Sequence, residues 1–322
     1  MEILQRFEDR GYPEEYLVAR IKGRRARLIQ DWDGLVFSPD PVEYLRPTEH
    51  GESIMEHSGE GAWMFLAKEL KWLHTQMNNR LKDIFDPFFM YIEVETLIMC
   101  FRYKYSEKEG PKLEEILRYS LLSNKIKESI LMSEDLPELL EEFAKKALLP
   151  WGGMGSLKGL FLEDGLQGLE QGLNTAFLET VKNMVLHPEL MGFFLYTIDS
   201  RNMNAVYKCL RWGIKTEPYL IREGMVGLSK LRKLFYDNSM PEFERLVFNV
   251  TGLSVKEATP AGIDNILQKG LAKRLKTAGR MGSEIGLILN YLWECYMEAH
   301  DLSTVLYGKG MNRDLLREEL IH

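Results

Sequence analysis

The sequence predicts an all-α protein built from three related helical units, and three observations predict it. First, a short pattern recurs at intervals of about a hundred residues, a period too long for a solenoid unit and suited to a triplicated small domain. The copies are Ile92-Glu93-Val94-Glu95-Thr96-Leu97 with Arg102, Ile198-Asp199-Ser200-Arg201-Asn202-Met203 with Lys208, and Met297-Glu298-Ala299-His300-Asp301-Leu302 with Tyr307. Each reads apolar, acid, two variable residues, polar, apolar, then a basic or phenolic residue nine places after the acid. Second, clean apolar–polar alternation is scarce, so strands have little support. Third, the 12 prolines cluster where helices should start and stop.

Taken in chain order, the first element is a basic segment, Tyr16 to Ile29. Leu17, Ile21 and Leu28, with Ala19 and Ala26, follow helical spacing, and Arg20, Lys22, Arg24, Arg25 and Arg27 appear without one acid among them. Next comes Phe37-Ser38-Pro39-Asp40-Pro41-Val42-Glu43, a polar turn leading into a Pro-initiated helix. The same turn is clearer at Ile130 to Leu139 and at Leu234 to Phe243, where Pro137-Glu138 and Pro241-Glu242 open the second helix. Asp86-Pro87, His187-Pro188 and Glu217-Pro218 read as further helix starts. Leu139-Leu140-x-x-Phe143 and Leu166-x-x-Leu169-x-x-x-Leu173 have helical spacing. Ser106–Pro111 and the glycine-rich stretch Pro150–Ser156 read as loops. The second and third long helices are followed by Gly213…Leu220-Ile221-Arg222-Glu223 and Gly310…Leu315-Leu316-Arg317-Glu318. The expected units are therefore 1–112, 113–222 and 223–322.

Composition narrows the function classes. The 322 residues are 45% hydrophobic and 28% charged, ordinary for a globular protein with room for two or three domains. A net charge of −7 argues against a general nucleic-acid binder. No apolar run approaches the roughly 18 residues that span a bilayer, and Met1 to Arg6 has no signal-peptide core. Cys100, Cys209 and Cys295 lie too far apart for a disulfide framework or a zinc site. All three fall on the recurring apolar helices and are expected to be buried and reduced.

No catalytic, cofactor-binding or metal-ligating constellation is found. Lys158 lacks the flanking residues of a phosphate loop, and none of the motifs H-E-x-x-H, G-x-S-x-G or paired carboxylates occurs. The repeated acids are the remaining candidates. Nine residues turn a helix through about 180°, so Glu93 cannot pair with Arg102, nor Asp199 with Lys208, inside one helix. Glu93 and Thr96, Asp199 and Asn202, and Glu298 and Asp301 do share a face. A carboxylate in so apolar a helix needs partners. Either each acid bridges a neighbouring helix of its own unit, or the polar faces line a common central surface. The five basic residues are either a solvated face or a patch for an acidic partner or anionic headgroups.

Together these residues resemble the C subunit of V/A-type rotary ATPases, called subunit d in vacuolar pumps. The similarity lies in Tyr16, Leu17, Ala19, Arg20, Ile21, Lys22, Arg24, Arg27 and Leu28 at the start. It continues in Asp199, Asn202 and Met203, and in part in Glu93, Leu97 and Arg102, and ends in Leu302 to Met311 and Leu316 to Leu320. Thr96, Lys208 and Tyr307 depart from the pattern, as does Pro47 to His50. The resemblance implies a funnel-shaped, non-catalytic, cytoplasmic rotor part without a cofactor. It would be seated on the membrane rotor ring, receive the central shaft, and touch the membrane only through the ring. The alternatives are a helical scaffold of another assembly and an all-helical enzyme with a site between units.

Overall fold

The computed structural model describes residues 3–106, 111–146, 149, 154–222, 224–255 and 260–322, with the backbone alone at 111–112, 154–157 and 260–261. Its helices, in chain order, are α1 (Glu14–Arg24), followed by a 3-10 turn (Arg25–Arg27), α2 (Trp32–Phe37), α3 (Pro41–Leu45), α4 (Gly51–His57), α5 (Gly59–Gln76), α6 (Asn79–Tyr105), α7 (Pro111–Tyr119), α8 (Asn124–Met132), α9 (Leu136–Lys145), α10 (Met154–Val181), α11 (Pro188–Trp212), α12 (Leu228–Asp237), α13 (Met240–Thr251), α14 (Pro260–Arg280), α15 (Glu284–Tyr307) and α16 (Arg313–Glu319). The protein is all-α. The described residues hold no strand, and an isolated antiparallel bridge joins Leu4 to Leu122.

The three patterned segments are the long helices α6, α11 and α15, each preceded by another long helix, α5, α10 or α14. Their cysteines, Cys100, Cys209 and Cys295, are buried and free. The three proline turns also form as expected, joining α2 to α3, α8 to α9 and α12 to α13. Asp40 caps α3 by accepting from Val42 N at 3.0 Å, and Asp135 caps α9 by accepting from Glu138 N at 2.8 Å. Both satisfy amides that a helix start leaves open.

Several expected boundaries move. Pro188 does start α11, but Pro87 lies inside α6, buried between Phe85 and Phe88. That helix begins earlier because the Asn78 side chain accepts from Leu81 N at 2.9 Å. The apolar packing then carries the proline past the backbone bond it cannot donate. Pro218 starts no helix. The chain from Gly213 is non-helical until α12 (Glu223 lies outside the described residues), because α11 side chains hold its amides. Of the glycine-rich stretch, 150–153 lie outside the described residues and 154–156 are the first turn of α10. The loop expected at Ser106–Pro111 likewise falls mostly outside them, at 107–110. Within α10, Gly165 adopts φ 64°, ψ −152°, a conformation open mainly to glycine, and breaks the helix there.

By contact density the chain divides into two compact units, one of Met1–Tyr12 with Leu70–Leu190, the other of Pro13–Glu69 with Met191–His322. The core of the first packs α6 against α9 and α10, with Phe101 on Phe143 at 5.9 Å and Tyr91 on Phe177 at 6.2 Å. In the second, Phe193 meets Trp293 at 5.4 Å, and Met203, Val206 and Tyr207 pack among Phe243, Ile263 and Leu267. Each such buried side chain contributes about 1.5–3 kcal/mol. Polar groups buried on the long helices therefore need partners, from the backbone or from other side chains.

Candidate functional site

The repeated acids hold backbone. On α6, Glu93 accepts from the Ser120 hydroxyl at 2.7 Å and from Leu121 N at 2.5 Å. On α11, Asp199 accepts from Met225 N and Val226 N, both at 3.0 Å. On α15, Glu298 accepts from Ile29 N at 2.5 Å, and the buried His50 ring stands 3.1 Å from its other oxygen. All three carboxylates are buried. Each reaches into the next of the three sequence segments: 93 to 121, 199 to 226, and 298 back to 29. The second polar position of the pattern works locally. Asn202 both donates to Ile221 O and accepts from Ile221 N, each at 2.8 Å. Asp301 accepts from Ile321 N at 3.0 Å and from His322 N at 2.9 Å.

On the expected boundaries, Asn202 and Asp301 bridge within their own unit, while Glu93, Asp199 and Glu298 do not. None lines an open central surface, because burial on backbone amides consumes all five. The bases nine residues on are unrelated to the acids. Arg102 makes a two-point pair with Glu170 at 2.6 and 2.7 Å, and Lys208 and Tyr307 are exposed.

The acids differ in electrostatics. Burial raises Glu93 despite its bonds to Ser120 and Leu121. Burial also raises Asp199, to about 6, against the pull of the Val226 and Met225 amides and of Arg274. For Asp301, burial is outweighed by bonds from His300 and His322 and from the two backbone amides, and its carboxyl falls to about 2. Beside Asp199 the chain must pass very close, for a Cβ on Gly224 would lie 2.0 Å from its Oδ1.

The basic segment is shorter as a helix than its spacing predicts. Leu28 onward is not helical because Ile29 N is drawn to Glu298. Arg24 clamps Glu69 with both guanidinium arms, and Tyr291 donates to the same carboxylate at 2.9 Å. Burial opposes the charge on Arg24, yet the Glu69 bond raises its pKa overall. Arg25 Nε stands 3.0 Å from Glu294, and Arg27 donates to Glu49 at 2.9 Å. Arg20 lies over the Tyr16 ring, 5.6 Å from its centroid, and Lys22 is exposed. Three of the five charges thus fasten α1 and the turn after it to acids of the chain itself.

No group of three His, Cys, Asp or Glu among the described residues could hold a metal ion. Lys158 is paired with Glu141 at 2.6 Å. The arrangement fastens backbone. The model of one family, described as ATP synthase (C/AC39) subunit, matches residues 17–319. The chain belongs to this family. No curated protein matches the chain.

A C/AC39 chain is a subunit of the V/A-type ATPase, a rotary motor, and its partners lie within that complex. The match begins at Leu17 inside α1 and ends at Glu319, so it includes all three acids and the segments they grip. No helix among the described residues is long and apolar enough to cross a membrane. Sequence reasoning missed Glu69, Tyr291, Glu294 and His50, which carry no local signal. The backbone held by the second polar position is Ile221, 19 residues after Asn202, and Ile321, 20 after Asp301.

Proposed function

We propose that this chain is the non-catalytic coupling subunit of the central rotor in a V/A-type ATPase. It links the central shaft to the membrane rotor ring, peripherally on the cytoplasmic face, and carries rotation between ATP turnover and ion movement. Family membership over residues 17–319 is the observation that carries this reading. The order of the grips, 93 to 121, 199 to 226 and 298 to 29, supports a chain of three units, 1–112, 113–222 and 223–322. A part that transmits torque must resist deformation, and buried carboxylates on paired amides hold non-helical segments firmly. Of the basic residues, the exposed Lys22 makes the ring-facing contact, since Arg24, Arg25 and Arg27 are committed inside the chain.

The test is reconstitution. Stripped membranes bearing the ring are recombined with the remaining subunits, with and without this chain. Without it, ATP hydrolysis by the soluble head should persist while ATP-driven ion uptake into vesicles falls to background, and adding the chain should restore uptake. Full uptake in its absence overturns the proposal. Lys22→Glu should weaken reassociation, with the difference shrinking as salt rises, because exposed charges are screened beyond about 8–10 Å at physiological ionic strength.

A further inference from the structure

The basic segment at α1 commits most of its charge inside the chain, but another basic helix does not. From Asn265 to Ser283 the chain carries Lys269, Lys273, Arg274, Lys276 and Arg280 and no acid. Asp264, near the start of α14, precedes them and accepts from Asn204 at 2.9 Å. At about 100° per residue, Lys269, Lys273, Lys276 and Arg280 fall within roughly 60° of the helix circumference, in a row about 16 Å long. Ile263, Leu267, Leu271 and Leu275 are buried on the opposite side.

The row divides by its surroundings. Lys269 is half-buried and feels the charges of Asp301, Glu319 and Glu318. Arg274, beside the row, donates to the Met225 sulfur at 3.4 Å. Lys273, Lys276 and Arg280 are exposed, and none of them pairs with an acid among the described residues. Lys273 Nζ passes over the end of α13, 3.4 Å from where a Cβ on Gly252 would lie. Elsewhere, exposed cations find acids one turn away: Arg46 on Glu43, Lys145 on Glu141 and Lys146 on Glu142. In α14 the neighbours one turn away are cations, which repel. The helix dipole favours Arg280 in the last turn, but not Lys273 two turns earlier. Met281, the next residue, is 81% exposed.

We propose that the outer face of α14, with Lys273, Lys276, Arg280 and Met281, docks on an anionic lipid surface. The chemistry favours headgroups over an acidic protein. Two of the three unpaired cations are lysines, compact point charges on flexible stems that suit a diffuse layer of charge. A protein carboxylate is held best by the planar fork of arginine, and Arg274, which has that fork, is turned to Met225. Basic clusters on an amphipathic helix gather anionic lipid. Met281 stands at the end of the row, where an apolar side chain can enter the headgroup boundary. No helix among the described residues is long and apolar enough to cross a membrane, so the contact is peripheral and sensitive to salt. It stands apart from the rotor reading, and either can fail without the other.

The experiment sediments the full chain with protein-free vesicles of phosphatidylcholine, either pure or mixed with phosphatidylserine. The parent should bind the anionic vesicles and not the neutral ones, and its binding should fall as salt rises. Lys273→Gln, Lys276→Gln and Arg280→Gln should each weaken binding about fivefold, the effect of one cation near a charged surface. The triple variant should treat anionic vesicles as the parent treats neutral ones, with its thermal midpoint unchanged. Met281→Ser should weaken binding at low and high salt alike. Lys215→Gln, which removes an exposed lysine elsewhere in the chain, should bind as the parent does. A triple variant that keeps parental binding overturns the proposal. So does an equal loss in Lys215→Gln, because net charge alone would then be acting. Parent binding to a polyglutamate peptide but not to the anionic vesicles overturns it as well, in favour of an acidic protein.

Discussion

Asp199 and Asp301 occupy related places in the pattern, yet their stability should depend on pH with opposite sign. The folded pKa of Asp199 is raised from 3.8 to about 6, so its buried charge is absent below about 4 and weighs on the fold as pH rises through about 6. Asp199→Ala leaves two amides unpaired and should cost about 1–3 kcal/mol. That cost should be smaller at pH 8 than at pH 4.5, because the parent bears the charge at pH 8. Asp301 is depressed to about 2. Its stabilisation is present above about 4 and lost as pH falls toward 2, so the penalty of Asp301→Ala should be larger at pH 7 than at pH 3. Urea unfolding of both variants against the parent across this range checks the pair of signs; slopes of the same sign would refute the account. Arg24 and Glu69 invite a second measurement. Arg24→Met should cost about 3–5 kcal/mol by stranding a buried carboxylate, while Arg24→Met with Glu69→Leu should cost less than the two single changes summed. A coupling energy near zero in that cycle would make the pair incidental.

Among the elements, the long helices and the proline turns were legible in the sequence because each rests on local chemistry: apolar periodicity in α6, α11 and α15, and caps at Asp40 and Asp135. The chain between α11 and α12 was not. Glu217-Pro218 has the composition of a helix start, but the side chains that decide the matter sit a helix away, at Asp199 and Asn202. The acids were recognised as needing partners, but which amides they hold depends on contacts between 20 and 269 residues distant. The internal pairing of the basic segment was hidden for the same reason. The close passage at Gly224 gives a direct test of the element's role. Gly224→Ala should push the segment off Asp199, costing about 1–3 kcal/mol. The Met225 and Val226 amides should then exchange with deuterium much faster than in the parent, and unchanged protection there would show that the grip tolerates displacement.

At the scale of the whole molecule, sequence segments and compact units are different partitions. The segment 113–222 contributes Leu121 to Glu93 and Glu170 to Arg102, both anchors lying before residue 113. It also sends Asp199 to amides beyond 222. A fragment of 113–222 should therefore lack a cooperative urea transition, whereas a triplicated protein of independent domains would give one. Measuring the circular dichroism of that fragment through a urea titration distinguishes the two.

The grip of Glu298 on Ile29 has a consequence for how the chain is made. Ile29 leaves the ribosome long before Glu298 and waits through the synthesis of 268 residues between them before its carboxylate exists. Arg25 waits equally long for Glu294. The unit of Met1–Tyr12 with Leu70–Leu190 has all its residues once 190 has emerged. The other unit cannot finish until translation of α15 is complete, which leaves the apolar face of α1 open through most of synthesis. Such delayed, long-range closure slows folding and invites aggregation. Nascent chains halted before α15 should therefore be the ones that chaperones hold.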